Sequence, residues 1–439
     1  MCSDLPKVLH PLGGRPLLGH VIDTARRFND AALYVVVGHG ADRVRDAFPD
    51  PAIHWVTQEQ QLGTGHAVAQ VLPEIPDDHT VMVMYGDVPL IRKETLGALQ
   101  VIALNNEVGL LTVELDDPTG YGRILHAADG SIAGSIEEKD ATDKQRRLRE
   151  VNTGFVAAPA RSLRQWVGSL DNDNAQGEFY LTDIIARAVA DGIIVRGVTT
   201  RDPNEVLGVN TRAQLATLER SYQQRQALAC MENGVTLIDP ARFDLRGRLA
   251  TGQDVVIDVN AVLEGEIILG NRVRIGPNVV MRDVTVADDV TILANCVIEA
   301  ADIGAGTRIG PFARIRPGTR LAASTHIGNF VEIKNADVGT GSKVNHLSYI
   351  GDTSIGHDVN IGAGTITCNY DGANKYRTVI GDGVFIGSDT QLIAPVIVAD
   401  GATIGAGSTI TKDAPAGELT LSRAPQETRK GWQRPVKKK

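Results

Sequence analysis

Between residues 251 and 420, an aliphatic residue recurs at every sixth position. The series begins at Ile257, slips by one residue after Met281 and continues with further slips as far as Ile410. On an α-helix, steps of six would scatter the series over several faces, whereas in extended chain an even spacing keeps every member on one side. The period therefore predicts short strands separated by turns, three to a coil, stacked into a narrow β-helix. The alternative is an ordinary β-sandwich, which the length of the series disfavours.

Residues 1–210 have a different pattern. Apolar, β-rich runs at 31–37, 80–85 and 109–115 alternate with helical stretches. This alternation predicts βαβ units with a parallel sheet and helices on both faces. Residues 211–234 follow, with Thr211 and Gln214 spaced as a capping box, and they predict a single linking helix. We therefore expect an α/β domain at 1–212, a linker helix at 213–233 and a β-helix domain at 234–439.

Composition narrows the class of protein. The 439 residues are 43% hydrophobic and carry a formal net charge of −9, which excludes disorder and disfavours a nucleic-acid partner. No apolar stretch approaches the roughly 18 residues of a membrane span, and the first residues do not have the pattern of a signal peptide. The four cysteines are scattered and form no CxxC motif, as is usual in a reducing compartment. These features predict a cytoplasmic protein with no membrane partner.

In the first half of the chain, the candidate functional residues lie where the predicted strands end. Asp87 follows directly on the run 80–85, and ligands of open α/β sheets bind at the carboxyl ends of strands. A carboxylate there suits Mg²⁺ bridging phosphates, although an aspartate that caps the next helix is an equal alternative. The glycines around Thr64 allow backbone N–H groups to approach a ligand.

In the second half, the six-residue pattern breaks at 367–378, and an extruded loop in a solenoid is usually functional. His346 lies within a repeat otherwise filled with small and aliphatic residues, and a neutral imidazole suits a general base. A lone histidine is more often a surface or packing residue. The cations Arg316, Lys334 and Lys375 favour the functional interpretation, because clustered cations need an anionic ligand.

Several motifs carry a family resemblance. The hexapeptide series resembles that of the hexapeptide-repeat acyltransferases, which implies a left-handed parallel β-helix and a trimer. The first half resembles the sugar-nucleotide pyrophosphorylases through eight segments in order: 3–7, Gln58, 63–65, 85–87, 120–123, 137–140, 152–154 and 208–210. Together the two halves resemble, from end to end, the bifunctional N-acetylglucosamine-1-phosphate uridyltransferase / glucosamine-1-phosphate acetyltransferase family. That resemblance implies an enzyme that makes UDP-N-acetylglucosamine.

The resemblance also assigns site residues. In the uridyltransferase half, Asp87 and Asn210 would hold Mg²⁺, and UTP would be the co-substrate. The implied UDP-N-acetylglucosamine set is Lys7, Gln58, Gly63, Thr64, Tyr85, Gly86, Asp87, Gly122, Glu137, Asn152 and Asn210.

In the acetyltransferase half, the resemblance makes His346 the general base. Glucosamine 1-phosphate would be bound by Arg316, Lys334, Tyr349, Asn360 and Lys375. Acetyl-CoA would be bound by Ala363, Asn369, Tyr370, Ser388, Ala406 and Arg423. Sites of this family lie between subunits, so a homotrimer is implied.

The match departs from the family at the first residues. The family has a first strand and a glycine-rich loop of the form L-A-A-G-x-G-T-R-M before the segment 3–7, and this sequence begins at that methionine. We therefore expect open hydrogen-bonding edges in the middle of the α/β sheet. Either the start codon is misassigned, which we favour, or the uridyltransferase half is disabled and only acetyl transfer remains. Two competing hypotheses are a non-catalytic β-helix module and a different sugar nucleotidyltransferase.

Overall fold

The structure, a computed structural model, describes residues 1, 3–29, 31–128, 130–174 and 176–437. Cys2 and the last two lysines of the basic tail, Lys438 and Lys439, lie outside the described residues. The chain divides into two compact units, Met1–Tyr222 and Gln223–Lys439. The division falls inside the linking helix, and the limits 1–212, 213–233 and 234–439 stay a prediction.

The first unit is an α/β domain. Its strands are β1 (Leu33–Val37), β2 (Ile53–Thr57), β3 (Thr80–Val83), β4 (Val108–Glu114), β5 (Gly122–His126), β6 (Ile132–Ile136), β7 (Glu150–Pro159) and β8 (Val195–Thr200), after a short hairpin of Pro11–Leu12 and Arg15–Pro16. Its helices are α1 (Leu17–Ala25), α2 (Ala41–Ala47), α3 (Thr64–Val71), α4 (Lys93–Leu104), α5 (Asp143–Arg146), α6 (Ala160–Gly168) and α7 (Ile184–Ala190), and the linking helix α8 (Arg212–Glu232) follows. Short 3₁₀ turns lie at Lys7–Leu9, Leu72–Glu74, Leu181–Asp183 and Pro203–Glu205.

The main sheet is mixed, whereas the sequence predicted a parallel one. Its order is β8-β4-β7-β5-β6, with β3 also paired to β7. Strand β7 runs antiparallel to β3, β4 and β5. A parallel neighbour needs a long crossover, usually helical. The chain between β4 and β7 instead forms the antiparallel β5–β6 hairpin and the four-residue α5, so β7 returns in the opposite direction.

Strands β1 and β3 each pair with a single neighbour. Among the described residues, β3 pairs only with β7, and β1 pairs only with β2 in a separate two-stranded parallel sheet. The backbone groups on the second edge of each strand therefore have no strand partner among the described residues.

Helices cover both faces of the main sheet, as predicted. On one face, α4 buries Leu96 and Leu99 against Leu111 of β4. On the other, α6 buries Trp166 in a cluster that contains Leu110 of β4. Successive side chains of a strand point to opposite faces, so β4 supplies both cores.

The linking helix α8 begins with the predicted capping box. The backbone N–H of Gln214 donates to Thr211 Oγ1 at 3.1 Å, and the backbone N–H of Thr211 donates to Gln214 Oε1 at 2.9 Å. The two bonds satisfy N–H groups that have no partner inside the helix. The helix therefore starts where the sequence predicts.

The second unit is a β-helix with three faces, after a 3₁₀ turn at Pro240–Arg242. One face is an eleven-stranded parallel sheet: Thr236–Leu237, Val256–Ile257, Arg274–Ile275, Thr291–Ile292, Arg308–Ile309, His326–Asn329, Lys343–His346, Asn360–Ile361, Phe385–Ile386, Thr403–Ile404 and Leu419–Thr420. A fifteen-stranded sheet forms the other two faces, and its long strands Phe243–Thr251, Ala261–Leu269, Val280–Val286 and Val297–Ile303 run through both. Later coils replace each long strand by two short ones. These are Arg314–Ile315, Glu332–Lys334, Tyr349–Gly351, Ile366–Cys368, Gln391–Ile393 and Thr409–Ile410 on one face, and Thr319–Leu321, Asp337–Val338, Thr353–Ile355, Thr378–Ile380 and Val396–Val398 on the other.

The six-residue series forms the core of this β-helix. Its members, from Ile257 to Ile410, lie in one continuous cluster, and each is at most 5% exposed. Corners of the coils are occupied by left-handed residues, which include the stacked Asn260, Asn278 and Asn295. The amide of Asn260 donates to Asn278 Oδ1 at 2.9 Å, and the amide of Asn278 donates to Asn295 Oδ1 at 3.1 Å. Asparagine tolerates this backbone conformation, so these corners need no glycine.

Ile267 and Ile268, which lie between the series members Leu263 and Leu269, test which side of the strand faces the core. They are neighbours on one strand, but Ile267 is fully buried and Ile268 is 43% exposed. We expect Ile267→Ala to destabilise the β-helix by about 2–5 kcal/mol, because it leaves a cavity in the core. The matched Ile268→Ala change should cost less than about 1 kcal/mol. Urea unfolding followed by circular dichroism checks the pair, and equal shifts of the unfolding midpoint would contradict the assigned faces.

Candidate active sites

In the first unit, the two predicted metal ligands lie around one cation. Lys7 Nζ donates to Asp87 Oδ2 at 2.5 Å and to Asn210 Oδ1 at 2.9 Å. Asp87 follows β3, and its backbone oxygen accepts a hydrogen bond from Val209, which holds the segment before Asn210 beside it. Two oxygen ligands from distant parts of the chain thus converge on a point that attracts positive charge.

No group of three or more His, Cys, Asp or Glu side chains that could hold a metal occurs within the described ranges. Mg²⁺ does not need such a cluster, because it is usually bound through one or two protein carboxylates together with substrate phosphates and water. The oxygens of Asp87 and Asn210 are therefore a donor set that fits Mg²⁺.

Tyr85 connects several of the predicted residues. Burial raises the pKa of Tyr85 to about 12, and the negative charges of Asp87 and Glu137 act in the same direction. The phenol is therefore neutral at pH 7 and can donate a hydrogen bond. Its ring packs closely on Gly154, where an added Cβ would lie 2.5 Å from Tyr85 Oη. Only glycine fits at that point of β7.

Glu137, Gly122 and Asn152 meet across three neighbouring strands. Gly122 of β5 is opposite Asn152 of β7, and the Asn152 amide donates to Ser135 Oγ of β6 at 3.2 Å. Thr182 Oγ1 donates to Glu137 Oε1 at 3.2 Å. Burial raises the pKa of Glu137, a change that the Thr182 hydrogen bond opposes. The structure thus brings this predicted trio together.

The segment before α3 is held tightly. Gln58 Nε2 donates to the backbone oxygen of Gly63 at 3.1 Å, and Thr64 Oγ1 accepts from the backbone N–H of Leu181 at 3.1 Å. Gly63 has a φ of 107°, and an added Cβ there would lie 2.7 Å from the Phe179 backbone oxygen. The glycine is therefore required by both conformation and space.

In the second unit, His346 is exposed at the end of a strand and pairs with Asn329 of the preceding coil. Its Nδ1 is 2.9 Å from Asn329 Oδ1. An amide oxygen can only accept, so Nδ1 donates this hydrogen bond and Nε2 is the ring nitrogen left to interact with a ligand. A histidine general base acts through such a nitrogen.

Four of the six residues predicted for acetyl-CoA, Ala363, Ser388, Ala406 and Arg423, form a column along one corner of the β-helix, whereas Asn369 and Tyr370 lie in the extruded loop. Backbone oxygens link successive coils: that of His346 accepts from Gly364, that of Ala363 from Asp389, and that of Ser388 from Gly407. Arg423 closes the column, since its Nη1 donates to the backbone oxygen of Ala406 at 2.7 Å. The column begins at His346, so a ligand that lies along the column has one end at the imidazole.

The residues predicted for the sugar phosphate are divided between two sheets. Arg316, Lys334 and Tyr349 lie on the fifteen-stranded sheet, where Arg316 Nη1 donates to Glu332 Oε1 at 2.8 Å and Glu332 is opposite Tyr349. Asn360 lies on the eleven-stranded sheet, in register with Lys343. The other predicted ligand, Lys375, is in the loop. Asn360 thus lies on a different sheet from Lys334 and Tyr349.

The break at 367–378 is an extruded loop, as predicted. It leaves the strand Ile366–Cys368 and returns at Thr378–Ile380, and it is closed by an antiparallel bridge between Tyr370 and Lys375. Asp371 accepts hydrogen bonds from the backbone N–H groups of Ala373 and Asn374. The loop therefore has a defined internal structure that can hold Lys375 in place.

Two residues that contact the candidate site residues, Asn329 and Glu332, are not predicted from the sequence. Asn329 lies 17 residues before His346, which is one coil of the β-helix, and Glu332 lies 17 before Tyr349. Counting back one coil from each candidate residue would have found both partners. The six-residue series alone does not show this longer spacing.

Comparison with known proteins agrees with both units. Residues 1–154 match the family model of the MobA-like NTP transferase domain, and residues 377–412 match that of the bacterial transferase hexapeptide (six repeats). The "Bifunctional protein GlmU" of Ralstonia nicotianae is 57% identical over 439 residues, which are 100% of this chain and 96% of that protein. The protein of the same name from Alkalilimnicola ehrlichii is 58% identical over 99% of this chain and 94% of its own length.

A third relative of that name, from Cupriavidus pinatubonensis, is 56% identical over 100% of this chain and 96% of its own length. All three matches extend over both units, so the comparisons give no support to an enzyme with acetyl transfer alone. No helix in the described part of the chain is long and apolar enough to cross a membrane. This chain belongs to the family of the bifunctional protein GlmU, whose members are acetyltransferase and uridyltransferase enzymes in one.

Proposed function

We propose that the second unit transfers an acetyl group from acetyl-CoA to the amine of glucosamine 1-phosphate. His346 carries this proposal, because its Nδ1 is engaged by Asn329 and its Nε2 is the ring nitrogen left to act on a ligand of the corner column. Nε2 takes a proton from the substrate ammonium, and the free amine attacks the thioester carbonyl. The C–N bond forms, the C–S bond breaks, and coenzyme A leaves as a thiolate that takes up a proton.

The surrounding residues bind the two substrates. Arg316, Lys334 and Lys375 are cations that suit a phosphate, with Tyr349 and Asn360 as further ligands. Ala363, Ser388, Ala406 and Arg423 bind acetyl-CoA along the corner column, and Asn369 and Tyr370 bind it from the loop. The small residues of that column leave the backbone accessible to an extended ligand.

For the first unit, we propose transfer of the uridyl group from UTP to N-acetylglucosamine 1-phosphate. A phosphate oxygen of the sugar attacks the α-phosphorus of UTP, pyrophosphate leaves, and UDP-N-acetylglucosamine forms. Gln58, Gly63 and Thr64 bind near the uracil, Tyr85 and Gly86 line the strand end, and Lys7 contacts the phosphates. Gly122, Glu137 and Asn152 hold the sugar. The convergence of Lys7, Asp87 and Asn210 on one point supports this assignment.

Asp87 and Asn210 are the residues that would hold Mg²⁺. When bound there, the ion neutralises charge on the phosphates. The protein's own part is to align the sugar phosphate with UTP and to keep water from the reaction.

The two reactions form a sequence, with acetyl transfer first and uridyl transfer second. The product of the second unit is then the substrate of the first. Acetyl-CoA and UTP are metabolites of the cytoplasm, and Cys230, Cys296 and Cys368 are unpaired, which supports the expected cytoplasmic location.

We further propose that the chain acts as a homotrimer. Phe312 and Phe330 stack at 5.3 Å between ring centroids on the outside of the β-helix and are 49% and 55% exposed, and Leu347, next to His346, is 63% exposed. Exposed apolar groups of this kind mark contact surfaces. A neighbouring subunit would also complete the divided phosphate site. Analytical ultracentrifugation of the full chain should give three times the monomer mass of 46.9 kDa, and a monomer at micromolar concentration would contradict the proposal.

Two half-reactions test the proposed function. Free thiol should appear from acetyl-CoA only when glucosamine 1-phosphate is present. Pyrophosphate should appear from UTP only when N-acetylglucosamine 1-phosphate and Mg²⁺ are present. The control substrate is glucose 1-phosphate, which has no amine and should release no thiol. A chain that accepts glucose 1-phosphate as readily in the second assay would contradict the assigned sugar.

A further inference from the structure

Asp352 lies beside the extruded loop and accepts hydrogen bonds both through its side chain and through its backbone oxygen. Its carboxylate accepts a hydrogen bond from the Asn335 amide at 2.6 Å and another from the amide of Asn369. Its backbone oxygen accepts from the backbone N–H of Thr378 at 3.2 Å. Asn369 is the residue at which the chain enters the loop, and Thr378 is the residue at which it returns. A single residue thus holds both ends of the loop.

The charges of two cations also act on the carboxylate. Burial favours the neutral carboxyl, but the hydrogen bonds from Asn335 and Asn369 and the charges of Lys334 and Lys375 outweigh it and lower the pKa of Asp352. Asp352 is therefore ionised at neutral pH, and the positive charges of both lysines favour that ionised form. These are two of the three cations that we assign to the substrate phosphate.

The backbone fixes this arrangement. Asp352 has a φ of 47°, in the left-handed region, and its N–H donates to the backbone oxygen of Lys334 at 3.0 Å. Asn335, Asp352 and Asn369 are spaced by 17 residues, so they form a vertical row at one corner of three successive coils. Asn369 is 7% exposed, so its amide must find a partner inside the protein.

We propose that Asp352 is a positioning residue of the acetyltransferase site, which clamps the loop at both ends and sets the places of Lys334 and Lys375. This inference rests on the proposed acetyl transfer. Asp352 does not touch the reacting atoms; it acts through Lys375 and Asn369. Arg377 anchors the loop as well, since it donates to Asp337 at 2.8 Å and to Ser354 Oγ at 2.9 Å. These contacts hold the exit of the loop and leave its entry to Asp352.

Asp352→Asn tests the clamp with little change of shape. Asparagine adopts the left-handed region readily, so the coil is kept. The substitution removes the charge. The new side-chain NH₂ group must face the NH₂ group of Asn335 or of Asn369, so one of the two hydrogen bonds is lost. The matched control is Asp289→Asn, another left-handed corner aspartate, which pairs with Arg272 on an earlier coil.

The first readout is limited digestion of the full chain with trypsin. We expect cleavage after Lys375 to become about tenfold faster in Asp352→Asn, because loss of a hydrogen bond to a charged group eases local opening of the loop. Asp289→Asn should be cut at the wild-type rate. Equal cleavage rates in the three proteins would overturn the clamp.

The second readout separates positioning from general damage. We expect the KM for glucosamine 1-phosphate to rise about tenfold, with kcat changed less than about threefold, since His346 is not disturbed. A fall in kcat at constant KM, or faster cleavage with unchanged KM, would overturn the positioning role. If the wild-type chain released no thiol, the proposed function would fail, and the trypsin comparison would still decide the clamp.

Discussion

Replacing His346 by alanine is expected to lower acetyl transfer about 10²–10⁴-fold, the usual range for loss of a general base. The substrate amine is protonated near pH 7 and cannot attack a thioester until it loses that proton. His346 is the exposed imidazole whose Nδ1 is engaged by Asn329, so that Nε2 is free to accept it. Thiol release from acetyl-CoA measures the effect, and uridyl transfer by the same protein should be unchanged.

Two variants make this result specific. His326→Ala removes another histidine of the same sheet, in register with Lys343, and should keep wild-type acetyl transfer. Asn329→Ala keeps the imidazole but removes the bond that fixes its tautomer, and we expect a loss of about tenfold. A His346→Ala protein that retained more than a tenth of the wild-type rate would show that another group takes the proton.

Replacing Asp87 by alanine should produce the opposite pattern. We expect uridyl transfer to fall about 10²–10³-fold, because the site loses a carboxylate placed to hold positive charge against the phosphates. Acetyl transfer should continue at the wild-type rate. Pyrophosphate release at increasing Mg²⁺ concentration measures the maximal rate and the Mg²⁺ concentration that gives half of the maximal rate.

The matched control for Asp87 is Asp50→Ala. Asp50 is also paired with a cation, Arg26, but it lies away from the strand end that carries Asp87. It should leave both reactions unchanged. If Asp87→Ala kept normal pyrophosphate release and normal Mg²⁺ dependence, the convergence of Lys7, Asp87 and Asn210 would have no part in the reaction.

The sequence predicts most of the β-helix because one physical rule governs it. Inward positions of stacked short strands must be aliphatic, and a period of six identifies them from Ile257 onward. The same reasoning identifies the loop, where the period breaks. It does not identify Asn329, Glu332 or Asp352, because their contacts run between coils at a spacing of 16 or 17 residues. Outward polar residues have no hydrophobic pattern to mark them.

The α/β unit was harder to predict because strand direction depends on the connections. Apolar runs located β1, β3 and β4, and the helices between them suggested a parallel sheet. The reversal of β7 follows from the hairpin of β5 and β6, which the sequence pattern does not distinguish from a loop. The cluster of Glu137, Gly122 and Asn152 depends on that reversal. Motif resemblance therefore assigned these residues before any geometric argument could.

The central claim is that one chain carries out both transfers in sequence. The direct test supplies the full chain with glucosamine 1-phosphate, acetyl-CoA labelled with ¹³C in the acetyl group, UTP and Mg²⁺, and follows the label by nuclear magnetic resonance. We expect labelled N-acetylglucosamine 1-phosphate to appear first and then to be converted to labelled UDP-N-acetylglucosamine, with one pyrophosphate per molecule. Label that stops at N-acetylglucosamine 1-phosphate, or never leaves acetyl-CoA, would contradict it.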